Sequence, residues 1–323
     1  MKIIQDFEKI RLENTVITLG KFDGNHIGHQ RLFETAAALK RPDQKAVIFT
    51  FSQHPSKVLL KGKEEAADTF RTIQTAQERA QDQYPEGIDY MVEFPFNRQT
   101  MSMEAEAFVR EVLVSRFGVR AIVCGTDFRF GKGRRGDTDL LKELGRLYGF
   151  EVHVIDKVMV TLPEQGAPAE ISSSLIKEEI RKGHMENVTL MMGRPFYITG
   201  EVLHGKHLGH TYGFPTLNQT APAEKILPPD GVYATKTLLE GTWYEGITNV
   251  GKRPTFDDGE ERTVETNLFD FNADAYGREV TVAFYDFVRP EQKFSGIREL
   301  KAQIETDCGK VKAYFVDKLL KKS

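Results

Sequence analysis

The sequence predicts an α/β domain built on a parallel sheet, followed by an antiparallel β-barrel domain with a C-terminal helix. Three observations predict this. At 323 residues the chain exceeds what one small core organises, which makes two domains the natural prior. In the first half, short β-rich runs alternate with runs of helical period, the pattern of a parallel sheet covered by helices. In the second half, strand-like runs are broken by Gly, Asn and Asp, and helical periodicity returns only at the end. The expected domains are residues 1–185 and 186–323, with a short boundary near Gly183 to Gly193.

Each element follows in order. "TVITL" reads as the first strand, Gln30 to Leu39 as its helix and "KAVIFTF" as the second strand. In "SMEAEAFVREVLVSRFG", Ala105, Phe108, Val109 and Val112 form an apolar face and Gly118 a stop, so a helix is expected. "RAIVCG" reads as a buried strand, and "DTDLLKELGRLYGF" with "EVHVID" repeats the helix-then-strand step, with a right-handed crossover. "ISSSLIKEEIRKG" is a serine-led helix closed by Gly183. "RPFYITGEVLHG", "GVYATKTLLEGTWYEGITNVG", "TVETNLFDF" and "REVTVAFYDFV" are strands, with Glu240-Gly241 as a hairpin corner. A last helix from about Ile297 to Leu320 carries Ile297, Leu300, Ile304, Val311 and Phe315 at spacings suited to docking on the barrel.

Composition excludes several classes. With 40% hydrophobic and 28% charged residues the chain is an ordinary globular protein, and no apolar run approaches a membrane span. The segment "MKIIQDFEKIRLENTV" lacks the apolar core and cleavage site of a secretory signal, so the expectation is a cytoplasmic protein without membrane association. Cys124 and Cys308 are too few for a disulfide framework or a thiolate metal site. A net charge of -3 gives no general attraction to nucleic acid, so a phosphate-bearing ligand must be held by a local site. The sequence carries no indication of oligomeric state.

The stretch "VITLGKFDGNHIGHQRLFETAAALK" carries the first chemistry. A strand ending at Gly20 and a helix opening near His26 form a corner at the carboxyl edge of a parallel sheet, where open α/β sheets bind ligands. Glycines there, Gly20 and Gly24 around Phe22 and Asp23, admit phosphate oxygens to backbone N–H groups, and a helix amino end adds favourable charge. His26 and His29, three residues apart, share one face of the opening turn, so both rings can point at one phosphate. Imidazole N–H groups there can stabilise charge developing on an α-phosphate. Two other readings stand beside this one. The pair could ligate a metal with distant residues, although no third ligand is obvious nearby, or either residue could be an ordinary helix-start histidine.

At these residues the chain resembles the HIGH-type nucleotidyltransferases, and "LGKFDGNHIGHQ" is similar to the version in bacterial bifunctional riboflavin kinase/FAD synthetases. "TFSQHPSKVL", "CGTDFRFGKGRRGD" and "ISSSLIKEEIRKG" resemble further adenylyltransferase motifs, and "GFPTLN", "NVGKRPTF" and "VETNLFDF" resemble those of the flavokinase. The resemblance implies a Rossmann-like FMN adenylyltransferase domain and a riboflavin kinase barrel, with ATP, riboflavin and FMN as substrates, FAD as product and Mg²⁺ as cofactor. It further implies that His54, Asp127 and Phe128 border the nucleotide and flavin pocket. Ser172, Ser173, Ser174 and Lys177 would form a phosphate cradle. Gly205, Gly209 and Gly213 would form the kinase phosphate loop, with Thr216 and Asn218 on the metal. Asn249, Gly251 and Thr255 would line the substrate pocket. Alternation in "TVETNLF" puts Glu265 and Asn267 on one strand face and Val264 and Leu268 on the other, and the resemblance makes Glu265 the general base. Two positions depart from the family pattern. Lys177 stands where the family usually has Arg, losing a planar two-pronged grip on phosphate, and His210 stands at a loop arginine's place. An adenylyltransferase with a weakened kinase, a flavin-binding regulator without turnover, or a nucleotidyltransferase for another precursor are the competing expectations.

Overall fold

The computed structural model describes residues 1–52, 71–163, 166–203, 214–254 and 260–320. The chain divides into two compact units, Met1–Ser173 and Ser174–Ser323.

In the first unit, strands β1 (Lys2–Ile4), β2 (Thr15–Leu19), β3 (Lys45–Phe51), β4 (Ile88–Phe94), β5 (Val119–Gly125) and β6 (Glu151–Ile155) form one sheet in the order β1-β4-β3-β2-β5-β6. Every pairing in it is parallel. From β2 the chain builds outward through β3 and β4, then returns to the other side of β2 with β5 and β6. The strand order therefore reverses between β2 and β5, the place where open sheets leave a ligand crevice at their carboxyl ends. Alternation along the strands divides the core into two layers. Ile17, Leu19, Val47, Phe49 and Ile122 pack with Val109, Val112, Leu141 and Leu144. On the opposite face, Ala46, Ile48 and Met91 pack with Phe33, and Val16, Ala121 and Val123 with Ala36, both from the Ile27–Leu39 helix.

Three features depart from the sequence expectations. The first helix begins at Ile27, capped by His26, which departs from the Gln30 start and agrees with the reading of a helix opening near His26. The helix expected over "SMEAEAFVREVLVSRFG" starts at Ala105 and widens into a π-helical stretch, Phe108–Val114, with Ser115 N–H reaching back five residues to the Arg110 carbonyl. Strands β1 and β4 were not foreseen. β4 interrupts its apolar run with Asp89, which accepts hydrogen bonds from Ala46 N (2.8 Å) and Lys40 Nζ (3.0 Å), and with Glu93, paired to Arg79 at 2.8 Å.

Strands β7 (Met159–Thr161) and β8 (Pro168–Glu170) form an antiparallel pair, the expected serine-led helix spans Ser173–Lys182, and a second helix, Met185–Met192, fills the stretch read as a short boundary. The barrel of the second unit comprises β9 (Phe196–Glu201), β10 (Leu217–Thr220), β11 (Gly231–Leu239), β12 (Thr242–Pro254), β13 (Glu260–Leu268) and β14 (Glu279–Pro290), ordered β10-β13-β12-β11-β14-β9 with antiparallel pairings. The β11–β12 hairpin turns through Glu240 (φ 49°) and Gly241 (φ 84°), two consecutive left-handed residues whose twist matches that of the strands. Gln219 helps close the cylinder: its Nε2 donates to Gly200 O on β9 (2.9 Å) and Val280 O on β14 (3.1 Å). Inside, Thr235, Thr248 and Thr266 hydrogen-bond hydroxyl to hydroxyl across three strands at 2.8 Å each, so these three hydroxyls are satisfied. The C-terminal helix spans Ile297–Leu320, with Val311 and Phe315 buried against Val232, Ala234 and Ile247. Ile304 packs against the same cluster, as expected, and with Leu300 also borders a cavity, whereas Ile297, expected to dock, is 40% exposed.

Candidate active sites

The first site is built on the loop after β2. Phe22 (φ 48°), Gly24 (φ 98°) and Asn25 (φ 42°) are left-handed, which folds residues 20–26 tightly over the strand end. The segment behind buttresses it. Asp23 Oδ1 accepts from Ile73 N (2.7 Å) and Gln74 N (3.3 Å), and Asn25 Nδ2 donates to Asp82 Oδ2 (2.9 Å), which also accepts from Gln74 Nε2 (2.7 Å). A Cβ on Gly24 would lie 3.0 Å from the buried Ile73 side chain in a backbone region that L residues rarely adopt. Gly24→Ala is therefore expected to destabilise the α/β unit by about 1–3 kcal/mol, measured by denaturant unfolding.

The loop delivers both histidines as a stacked pair, with ring centroids 3.5 Å apart and 20° between planes. His26 is 5% exposed, and its Nδ1 accepts the His29 N–H at 3.3 Å, so the His26 proton resides on Nε2. Burial, with His26 adding to it, holds the His29 imidazole well below its ordinary 6.5. Two rings in such contact do not both carry charge. His29 Nδ1 is buried without a hydrogen-bond partner among the described residues. Phe22 is buried beneath the pair, edge-on to His29 (5.2 Å) and Phe33 (4.8 Å).

Other expected residues gather at the same edge. Gly20 N–H donates to Phe49 O at the ends of β2 and β3. Ser173 Oγ donates to Asp23 O at 2.8 Å, and Gly28 sits beside Ile171 O, which brings the start of the serine block to the histidine corner. Ser172 is half-buried, while along the following helix Ser174 is exposed and Lys177 half-buried. Asp127 and Phe128 leave β5 across the switch point from β2. Phe128 stacks on Phe130 (5.6 Å, 15°), and Asp127 pairs with Lys157 at 3.3 Å, a lysine that also holds Glu170 at 2.8 Å. His54 lies outside the described residues.

The second site is a row across the barrel wall. Register pairs Asn218 on β10 with Glu265 on β13, and Glu265 with Asn249 on β12. Cross-strand partners project to one face, so the three side chains are aligned. The alternation read from the sequence holds: Val264 and Leu268 are buried, Glu265 and Asn267 half-buried. Glu265, Asn267, Asn249 and Thr216 line a 610 Å³ cavity under the start of the C-terminal helix, and Thr216 also borders a 360 Å³ cavity with Phe271 and Tyr276. Asn267 Nδ2 donates to Pro215 O at 2.8 Å, tying "GFPT" to β13, and Asn218 Nδ2 donates to Thr216 O at 3.3 Å. Asn249 Nδ2 donates to Glu291 Oε1 at 2.9 Å. A Cβ on Gly251 would come within 2.3 Å of that same Glu291 oxygen, so the bare glycine is what admits the carboxylate. Gly205, Gly209, His210, Gly213 and Thr255 lie outside the described residues.

Sequence reasoning missed Asp82, Gln74, Glu291, Arg289 and Asp307. They act through contacts distant in sequence, and only the polar spacing of "RPEQKF" at the end of the last strand could have pointed to two of them.

An open parallel sheet with a histidine pair at its switch point, on one chain with a six-stranded barrel carrying a carboxylate at a cavity, defines a nucleotidyltransferase–kinase fusion. Residues 8–172 match the family model described as FAD synthetase, and residues 192–315 the one described as riboflavin kinase. A bifunctional riboflavin kinase/FMN adenylyltransferase from Listeria monocytogenes is 33% identical over 305 residues, covering 94% of this chain and 93% of that protein. One of the same name from Escherichia coli K12 is 32% identical over 320 residues, covering 98% of each. The chain belongs to the bifunctional riboflavin kinase/FMN adenylyltransferase family. A crystal structure described as a macrolide-efflux protein from Streptococcus pneumoniae is similar with a TM-score of 0.85 at 30% identity, covering 97% of this chain and 99% of that one. Among the described residues, no helix is long and apolar enough to cross a membrane.

Proposed function

We propose that this chain phosphorylates riboflavin to FMN in residues 186–323 and adenylylates FMN to FAD in residues 1–185, with ATP as donor in both steps, in the cytoplasm. The observation that carries the reading is the Asn218–Glu265–Asn249 row, whose Glu265 and Asn249 line the larger cavity and which supplies the barrel with a carboxylate for alcohol activation separate from the histidine corner.

In the kinase step, Glu265 takes the proton of the terminal ribityl hydroxyl. That oxygen bonds to the γ-phosphorus of ATP, the bond to the bridging oxygen breaks, and ADP leaves. Thr216 and Asn218 offer hard oxygen donors, a set that suits a divalent ion bound mainly through nucleotide phosphates and needing few protein ligands. The described residues hold no group of three or more His, Cys, Asp or Glu for a metal cage. Mg²⁺ bound there would neutralise charge on the transferring phosphates. Thr216 borders both cavities, so the nucleotide is assigned to the smaller and flavin to the larger, where Glu265 faces it.

In the adenylylation step, an FMN phosphate oxygen bonds to the α-phosphorus of ATP and the bond to pyrophosphate breaks. His26 donates from Nε2, and the neutral His29 ring adds its single N–H as the second donor of the pair to the same developing charge. Ser172 and Ser173, with the backbone of Gly20 to Gly24, hold the phosphates, and Asp127 and Phe128 border the base and flavin.

Incubation of the protein with riboflavin, Mg²⁺ and ATP, followed by flavin chromatography, is expected to yield FMN, then FAD and pyrophosphate. FAD from added FMN with none from riboflavin would leave only the adenylyltransferase. Tight flavin binding without pyrophosphate release would overturn both activities.

A further inference from the structure

The row that contains Glu265 does not end at Asn249. Its register continues to Val232 on β11 and from there to Arg289 on β14, so Asn218, Glu265, Asn249, Val232 and Arg289 align across five adjacent strands. Glu265, Asn249, Val232 and Arg289 all line the 610 Å³ cavity. Three interstrand steps at about 4.8 Å put Arg289 roughly 14 Å along the wall from Glu265. A group at that distance cannot act on the phosphoryl group that Glu265 serves.

Arg289 is held by two hydrogen bonds. Its Nε donates to Asp307 Oδ2 at 2.7 Å and its Nη1 to Pro290 O at 3.0 Å. Asp307, on the C-terminal helix, is 0% exposed, and its other oxygen accepts from Gln303 Nε2 at 2.8 Å. The Phe294 ring lies 5.8 Å from the guanidinium carbon. The Arg289 Nη2 group has no hydrogen-bond partner among the described residues. The arrangement is a cation at the cavity wall whose charge is compensated through Nε by Asp307, which also borders the cavity, and whose Nη2 donors are left over. Such a group suits an uncharged aromatic ligand with carbonyl oxygens on its rim, because pairing with Asp307 lowers the penalty of covering it.

We propose that Arg289 is a specificity residue of the kinase cavity: its Nη2 group donates to a carbonyl oxygen of the flavin ring while the terminal ribityl hydroxyl lies at Glu265. Asp307 is the positioning residue that sets the guanidinium plane. The inference rests on the kinase reading of Glu265. A five-carbon chain joined to a tricyclic ring is a ligand long enough to reach from one end of the row to the other, and it brings the ring, not the phosphate, to Arg289.

The test uses the full chain and lumiflavin, the ring system without the ribityl chain, as competitive inhibitor of FMN formation. Arg289→Gln is expected to raise KM for riboflavin and the inhibition constant of lumiflavin by a common factor of roughly 10- to 100-fold, with kcat little changed. Asp307→Asn should raise both by a smaller common factor and add nothing in the Arg289→Gln background. Should Arg289→Gln fail to fold, Arg289→Lys decides, with a common intermediate increase expected. An unchanged KM, a raised KM with lumiflavin inhibition intact, or a fall in kcat alone would each overturn the proposal. The kinase reading fails separately, by wild-type protein making no FMN or by Glu265→Gln retaining activity.

Discussion

In a Glu265→Gln protein, FMN formation from riboflavin is expected to fall by roughly 10²- to 10⁴-fold in kcat, the range typical of removing a general base. FAD formation from added FMN continues at the wild-type rate. The substitution is chosen because glutamine keeps the shape and most hydrogen-bonding capacity of the side chain in the row with Asn218 and Asn249, so the barrel wall is preserved. Only the capacity to accept a proton is lost. Glu265 borders the cavity, whereas its strand neighbours Val264 and Thr266 are buried, so no adjacent side chain on β13 can take over. Riboflavin KM should move little, since the hydroxyl still has a hydrogen-bond partner. Chromatographic separation of the two flavin products measures both steps in one reaction, and FMN formation at the wild-type rate would remove Glu265 from the mechanism.

How much of this was legible in the sequence depended on where the partners of each residue lie. "TVITL" and "KAVIFTF" were legible because strands buried on both faces read as unbroken apolar runs, and the C-terminal helix because its period persists over 24 residues. β4 was not, since Asp89 and Glu93 break its pattern and are satisfied by Lys40, Ala46 and Arg79 from elsewhere in the chain. The juxtaposition of the two histidines was legible because it is local: both rings come from one helical turn. Its support was not, since Asp82 and Gln74 meet Asn25 only after the sheet is assembled. In the barrel, alternation predicted the face of Glu265, but the row it shares with Asn218, Asn249 and Arg289 is a property of strand order. Strand order is not written in the period of any one strand.

His29→Ala is expected to lower FAD formation from FMN by roughly 10²- to 10³-fold, the effect of deleting one preorganised donor to a developing oxyanion. FMN formation from riboflavin is unaffected. His29 is the cleaner member of the pair to remove, because His26 also caps the Ile27–Leu39 helix, and its loss would add about 0.5–2 kcal/mol of destabilisation. The buried, neutral His29 ring also sets a pH dependence. Its folded value lies well below 6.5 while the unfolded chain titrates near 6.5, so as pH falls from about 7 to 5 the unfolded state takes up a proton that the folded state refuses. Stability contributed through His29 is thus intact above that window and lost on acidification through it. His29→Ala should flatten this part of the stability profile of the α/β unit, measured by denaturant unfolding at each pH. The same neutrality means that adenylylation does not gain rate from protonation of His29 near pH 6.5. A wild-type rate that climbs on acidification through that value, and loses the climb in His29→Ala, would show the ring acting as a cation, and the stacked neutral pair would then not be the reactive form.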